Sequence, residues 1–334
     1  MEIEPFSLSL SEPLSTAAGE IDSREGFLVT LERGAVRGVG EATPLAGWTE
    51  STEDCESALR DVVADGVDSA CPDPAETPAA CHAVELATAD LAAREEGVPL
   101  ARWLTTDPAE SVPVNATIGD GGVDAAVEAA RKALKDGFET LKVKVGARSL
   151  EADLERLRAV RRVAADVTLR VDANGAWSRP EAQRAIDRLA DLPVSYVEQP
   201  LAAADLAGHA ALRGRGVGIA LDESIRERGV DAILKAGAAD TLVLKPMALG
   251  GIRRSREIAV RARKRGVYPM VTTTVDGVVA RTAALHLAAS LGIDRACGLA
   301  TADRLSADLA SDPARVRDGR MHLPDEPGVG VRFG

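Results

Sequence analysis

Five short apolar, β-branched runs each end on a charged residue. Lys144 closes TLKVK, Asp172 closes LRVD, Glu198 closes SYVE, Asp222 closes IALD and Lys245 closes LVLK, at intervals of 28, 26, 24 and 23 residues. Helical stretches rich in Ala, Arg and Leu separate them, and a strand plus a helix of that combined length is one parallel βα unit. A doubly wound open sheet alternates in the same way, but it gathers its ligand at one switch point. A charge at the end of strand after strand instead fits a barrel, whose C-terminal strand ends share one mouth. The expected fold is therefore α/β, a TIM-like (β/α) barrel over residues 111–311. An α+β domain over 1–110 precedes it, and the non-helical tail 312–334 is expected to return to that first domain.

The first hundred residues read as α+β. Phe6, Leu8 and Leu10 share one face, FLVTLER follows, and VRGVGEATP closes a third run, which together suggest an antiparallel meander. STAAGEIDSREG, between the first two runs, is small and polar and reads as a loop at the sheet edge that could serve as a lid over the barrel mouth. From 51 to 104 the pattern turns helical, opening on a Ser/Thr cap with Glu53 and Asp54 in the first turn.

Charge and cysteine usage narrow the function classes. The formal net charge is −12, with no basic cluster able to neutralise phosphates, so nucleic-acid binding is not expected. Only seven of the 40 basic residues are lysines, and this acidic, alanine-rich, aromatic-poor chain suits a cytosol of high ionic strength. Cys55, Cys71, Cys81 and Cys297 show neither a C-x-x-C pair nor metal spacing and read as buried or incidental thiols. The acidic start MEIEPFSLSL and the absence of an apolar run of about 18–20 residues give an expectation of a soluble, cytoplasmic protein without membrane contact.

The chemistry follows from the strand ends. Lys142 and Lys144, two apart in a strand, point to one face. Two adjacent ammoniums lower each other's pKa, which lets one be neutral near pH 7 and act as a base. An arbitrary K-x-K is more often a solvated edge pair, yet three of the seven lysines here (142, 144 and 245) end strands. Three carboxylates converging at Asp172, Glu198 and Asp222 would repel unless a cation sits among them. Oxygen ligation without His or Cys points to Mg²⁺, with Mn²⁺ as the alternative. Asp222, before Glu223 and Ser224, could instead cap the following helix. A carboxylate substrate on the metal, losing its α-proton to a lysine, is the implied reaction class.

These motifs, in this order and over nearly the whole chain, resemble the enolase superfamily and its muconate-lactonising subgroup: Lys142-Val143-Lys144, RVDAN with Asp172 and Asn174, VEQP with Glu198, LDES with Asp222, and LKP with Lys245. The resemblance implies a (β/α)7β TIM-like barrel with an N-terminal α+β capping domain over 1–110, and a lysine base working with Mg²⁺ on an ene-diolate. It implies Asp172, Glu198 and Asp222 as metal ligands and Lys144 as acid/base. Lys142 would tune that base, and Lys245 would face the opposite side of the substrate. No His follows VTTT, so the mandelate-racemase subgroup does not fit, and His82, His209, His286 and His322 read as structural. GVGEATPLAGWTEST over 38–52 and GLATADRL over 298–305 are similar to segments of o-succinylbenzoate synthases, whereas Thr272-Thr273-Thr274-Val275-Asp276-Gly277 departs from their usual seventh-strand ending. That likeness implies dehydration of 2-succinyl-6-hydroxy-2,4-cyclohexadiene-1-carboxylate.

Rival expectations keep or discard the site. Racemisation of N-acylamino acids or epimerisation of dipeptides would use Lys144 and Lys245 as two opposed bases, although dipeptide epimerases of the family usually carry Asp-x-Asp after the last strand, where Thr301-Ala302-Asp303 has one Asp. Muconate cycloisomerisation is a further isomerase alternative. A Schiff-base aldolase would need only one lysine and would leave the three carboxylates unexplained. A non-catalytic metal scaffold would leave the lysines unexplained.

Overall fold

The computed structural model describes residues 1–16, 19–66 and 72–333. Its first unit is a three-stranded antiparallel sheet of β1 (Glu2–Thr16), β2 (Gly19–Arg33) and β3 (Val36–Ala42), in the order β1-β2-β3. Three helices follow: α1 (Thr52–Asp65), α2 (Pro78–Glu95) and α3 (Leu100–Leu104). Ser51 caps α1 by accepting the Asp54 N–H, as expected from its sequence. Along α2 the alanines Ala79, Ala80, Ala83 and Ala87 are all buried. Helix and sheet touch almost backbone to backbone: a Cβ at Gly40 would lie 1.9 Å from the Ala83 carbonyl oxygen, and one at Gly38 2.3 Å from that of Ala87. The GVG of β3 is thus a packing requirement.

The expectation of a loop over STAAGEIDSREG does not hold. β1 and β2 continue pairing to the end of the hairpin, with Leu14 opposite Ile21, Ser15 opposite Glu20 and Thr16 opposite Gly19, after a register shift between Ser9 and Leu14. Strand pairing is a backbone interaction, so polar side chains did not prevent it, and Leu14 and Ile21 pack on Leu8, Leu10 and Leu305. Residues 17 and 18 of that segment, like Cys71, lie outside the described residues.

The remaining chain alternates as its spacing predicts. After the short β4 (Ser111–Pro113) come β5 (Ala116–Ile118), β6 (Thr140–Lys144), β7 (Thr168–Asp172), β8 (Val194–Glu198), β9 (Gly218–Leu221), β10 (Thr241–Leu244) and β11 (Tyr268–Val271), which form one parallel sheet in sequential order. Between them run α4 (Val123–Lys135), α5 (Leu150–Val163), α6 (Arg179–Leu189), α7 (Leu206–Leu212), α8 (Glu223–Arg228), α9 (Val230–Ala236), α10 (Pro246–Leu249) and α11 (Ile252–Lys264), with α12 (Val278–Ser290) after β11. The sheet curls and closes through a segment too short to be a regular strand: Gly298 bridges Thr272 at the end of β11, and Cys297 bridges Val114 beside β5. Sequential strand order excludes the doubly wound alternative, whose order must reverse.

In the tail, β12 (Arg320–His322) pairs with β4, and Gly328 exchanges backbone bonds with Val98 and Leu100. No helix among the described residues is long and apolar enough to cross a membrane.

Candidate active site

The C-terminal ends of β6 to β10 bring the five strand-end residues and Lys142 to one end of the barrel. Register explains it: Lys144 lies opposite Asp172, and Asp172 opposite Glu198, so their side chains share the inner face. Lys142 Nζ stands 3.0 Å from Asp172 Oδ2 and donates to Glu198 Oε1 at 3.0 Å. Lys245 Nζ donates to Asp222 Oδ2 at 2.6 Å. Lys144 Nζ donates to the amide oxygen of Asn174 at 3.0 Å, and Asn174 Nδ2 in turn donates to Glu223 Oε1 at 3.1 Å. Asn174 reaches both partners from a left-handed conformation, φ 43°.

Burial and charge set the protonation states. Burial alone would lower the pKa of Lys142, but the carboxylates of Asp172 and Glu198 outweigh it and hold the ammonium well above its usual value. This corrects the expectation that Lys144 depresses Lys142, whose ammonium lies 3.0 Å from each of two carboxylates. Asp172 is held below the usual carboxylate range, because Lys142 and Lys144 overcome its burial. Glu198 is raised by burial and by the neighbouring Asp172. Burial pushes Asp222 up to about 8 despite the ammonium of Lys245. Its side chain makes no cap to α8, so the helix-capping alternative is not realised.

With lysines lying between the carboxylates, no three His, Cys, Asp or Glu side chains among the described residues converge closely enough to hold a metal as they stand. The donor chemistry nevertheless suits a hard cation. Glu198 Oε2 and Glu223 Oε2 are buried and accept no hydrogen bond, and a carboxylate oxygen sealed in this way requires a positive partner.

The N-terminal unit supplies the roof. Trp48 lies over Lys245, its ring centroid 3.2 Å from Nζ, which is a cation–π contact. Arg24 of β2 donates to the carbonyls of Thr43 and Pro44 at 2.8 Å each, and to that of Val275 at 3.3 Å. Val275 is β-branched with φ 64°, a strained conformation that these bonds help to hold. Glu41 of β3 accepts the N–H groups of Gly277 and Ala280 at the start of α12, at 2.7 and 2.9 Å, and the hydroxyl of Thr43 at 2.5 Å.

Burial, with the charge of Asp276, pushes the Glu41 carboxyl up to about 7. Between the ordinary carboxylate value and that pKa the folded chain holds a proton that the unfolded chain has lost, so stability falls as pH rises through this window and levels off above it. Urea unfolding at pH 5 and pH 7.5 should show the wild type losing roughly 2 kcal/mol more than Glu41→Gln. Parallel losses in the two proteins would remove Glu41 as the cause.

The four histidines stand apart from this cluster. His82 meets the Glu41 carbonyl, His209 binds Gln199, His286 bridges Ala101 N–H and the Val329 carbonyl, and His322 lies in β12. Cys55, Cys81 and Cys297 are buried. Sequence reading missed Glu223 and the clamp formed by Arg24 and Glu41. Glu223 follows a candidate ligand and could have been weighed; the reach of Arg24 across the fold has no local signal.

Residues 125–333 match the family model described as "Enolase C-terminal domain-like". The chain is 32% identical over 351 residues to the hydrophobic dipeptide epimerase of Citrifermentans bemidjiense, covering 96% of this chain and 94% of the relative. It is 43% identical over 216 residues, 63% of each chain, to the o-succinylbenzoate synthase of Mycobacterium tuberculosis. Among solved structures, the dipeptide epimerase of Enterococcus faecalis complexed with Mg and L-Leu-L-Tyr superposes with a TM-score of 0.88 at 27% identity, covering 99% of this chain and 98% of that one.

Proposed function

Since the chain belongs to the enolase superfamily, we propose that it is an o-succinylbenzoate synthase, a lyase that dehydrates 2-succinyl-6-hydroxy-2,4-cyclohexadiene-1-carboxylate. The observation that carries this reading is the unequal setting of the two opposed lysines. Lys245 is held between the Asp222 carboxylate at 2.6 Å and the face of Trp48. Lys144 has a single hydrogen bond, to a neutral amide. One lysine with a single contact and one held on two sides suit an elimination on one face of the ring better than proton exchange between two faces.

In this mechanism Asp172, Glu198 and Asp222 would hold Mg²⁺, which would supply Lewis-acid stabilisation of negative charge on the substrate carboxylate. Lys144, as the amine, takes the proton from the carbon bearing that carboxylate. The resulting ammonium then protonates the hydroxyl on the adjacent ring carbon, the C–O bond breaks, water leaves and the ring becomes aromatic. Lys142, tied to Asp172 and Glu198, keeps positive charge beneath the site, and Lys245 faces the ring. Asn174 orients Lys144.

The epimerases cover more of this chain, which favours a second reading: 1,1-proton transfer on a dipeptide. Against it, Thr301-Ala302-Asp303 carries a single carboxylate, the exposed Asp303, and the Thr273 and Thr301 hydroxyls pair there at 3.1 Å. Incubation with the cyclohexadiene and Mg²⁺ should produce aromatic 2-succinylbenzoate. If none forms while dipeptides gain α-deuterium in D₂O, the epimerase reading replaces the synthase.

A further inference from the structure

At the opposite end of the barrel from the site above, the N-terminal face encloses a cavity of about 390 Å³ lined by Arg170, Thr140, Thr168 and Ser195, with Arg295 and Arg320 at its rim. Arg170 is the unusual member. It is 2% exposed, on β7 opposite Lys142 in register, and no described carboxylate lies within ion-pair distance of it. A buried guanidinium without a counter-charge is expensive to desolvate.

Its existing contacts occupy one side only. Nη1 donates to the Ala296 carbonyl at 2.5 Å and approaches Met270 Sδ at 3.2 Å, while the plane lies 4.9 Å from the centroid of the Tyr196 ring. Nε is buried without a partner, and Nη2 donates to no described residue. Nη2 is thus the unpartnered donor that is not sealed off, and a guanidinium N–H gives a carboxylate or phosphate oxygen a charge-assisted hydrogen bond. The hydroxyls of Thr140, Thr168 and Ser195 likewise make no hydrogen bond to any described residue.

The cavity also carries Glu139, Asp294 and Asp318, all exposed. Water and salt screen these charges, and Asp294 already accepts the Tyr268 hydroxyl at 2.6 Å. At depth the site is cationic. We propose that this face binds one small oxyanion, a phosphate or a simple carboxylate, on Nη2 of Arg170 with Thr140 donating beside it. This site is separate from the catalytic one, and it stands whether the chain dehydrates or epimerises.

Isothermal titration of the full chain with inorganic phosphate, at ionic strength held constant with NaCl, tests it. The expected result is one phosphate per chain, bound equally by Lys144→Ala, which alters only the opposite end. Thr140→Val, nearly isosteric, should weaken binding about fivefold, the value of one neutral hydrogen bond, and Arg170→Met should abolish it. Crystals soaked in selenate should show an anomalous peak beside Arg170, a readout that survives if Arg170→Met fails to fold. Absence of both heat and peak overturns the proposal. So does a peak only at the barrel mouth, or affinity unchanged in Thr140→Val with selenate elsewhere, an adventitious ion only.

Discussion

Lys144→Ala should reduce product formation by about 10²- to 10⁴-fold, the range that a positioned acid/base contributes, and should leave the fold intact. The second half of that expectation is as specific as the first. Lys144 Nζ makes one hydrogen bond, to the side chain of Asn174, and forms none of the observed ion pairs. Its removal strands no buried carboxylate that Lys142 does not already neutralise. Circular dichroism and melting temperature should therefore match the wild type while kcat collapses. Lys245→Ala supplies the contrast. If one lysine carries both proton steps, Lys245→Ala loses less than Lys144→Ala, because it removes a group held on two sides rather than the base. If the two lysines exchange a proton across the substrate, both variants fall equally. Unchanged turnover in Lys144→Ala would remove it from the chemistry.

Lys142→Met should have the larger effect on stability. Its ammonium lies 3.0 Å from both Asp172 and Glu198, and both carboxylates are almost fully buried. Breaking a buried pair by removing one partner leaves an uncompensated charge, at a cost of about 3–5 kcal/mol. In EDTA the variant should unfold at markedly lower urea concentration than the wild type. Mg²⁺ should restore most of the difference, since a divalent cation among Asp172, Glu198 and Asp222 replaces the missing charge, and binding to the folded state alone stabilises by mass action. Destabilisation in EDTA that Mg²⁺ leaves untouched would argue against these carboxylates as a cation site. A variant as stable as the wild type in EDTA would argue that Lys142 neutralises nothing there.

The barrel was legible in advance because its signal is local and repeated. Each run such as LRVD or IALD is apolar and β-branched, each is followed by a helix-forming stretch, and the periodicity needs no knowledge of distant residues. Its closure was not legible. Cys297 and Gly298 make two isolated bridges rather than a strand, and so short a segment carries no periodicity. The hairpin end around Leu14 and Ile21 misread as a loop for a related reason: composition reports side chains, whereas pairing with β1 is decided by backbone groups from another part of the chain.

Within the site the same division holds. Lys142, Lys144, Asp172, Glu198, Asp222 and Lys245 were placed at strand ends, and so on one face, by alternation and spacing alone. What each of them touches was decided by the fold. Trp48, nearly two hundred residues from Lys245 in sequence, arrives over its ammonium because α2 seats the N-terminal sheet on the barrel. Lys142 is held charged, contrary to the expectation from its neighbour in the strand, because the curl of the sheet turns two carboxylates from β7 and β8 toward it. By itself the sequence determined the order of elements and which side chains share a face, since both follow from local backbone geometry. Only the tertiary structure decided the partners and the charge states, because Coulomb energy and desolvation depend on distances between residues that the chain brings together from afar.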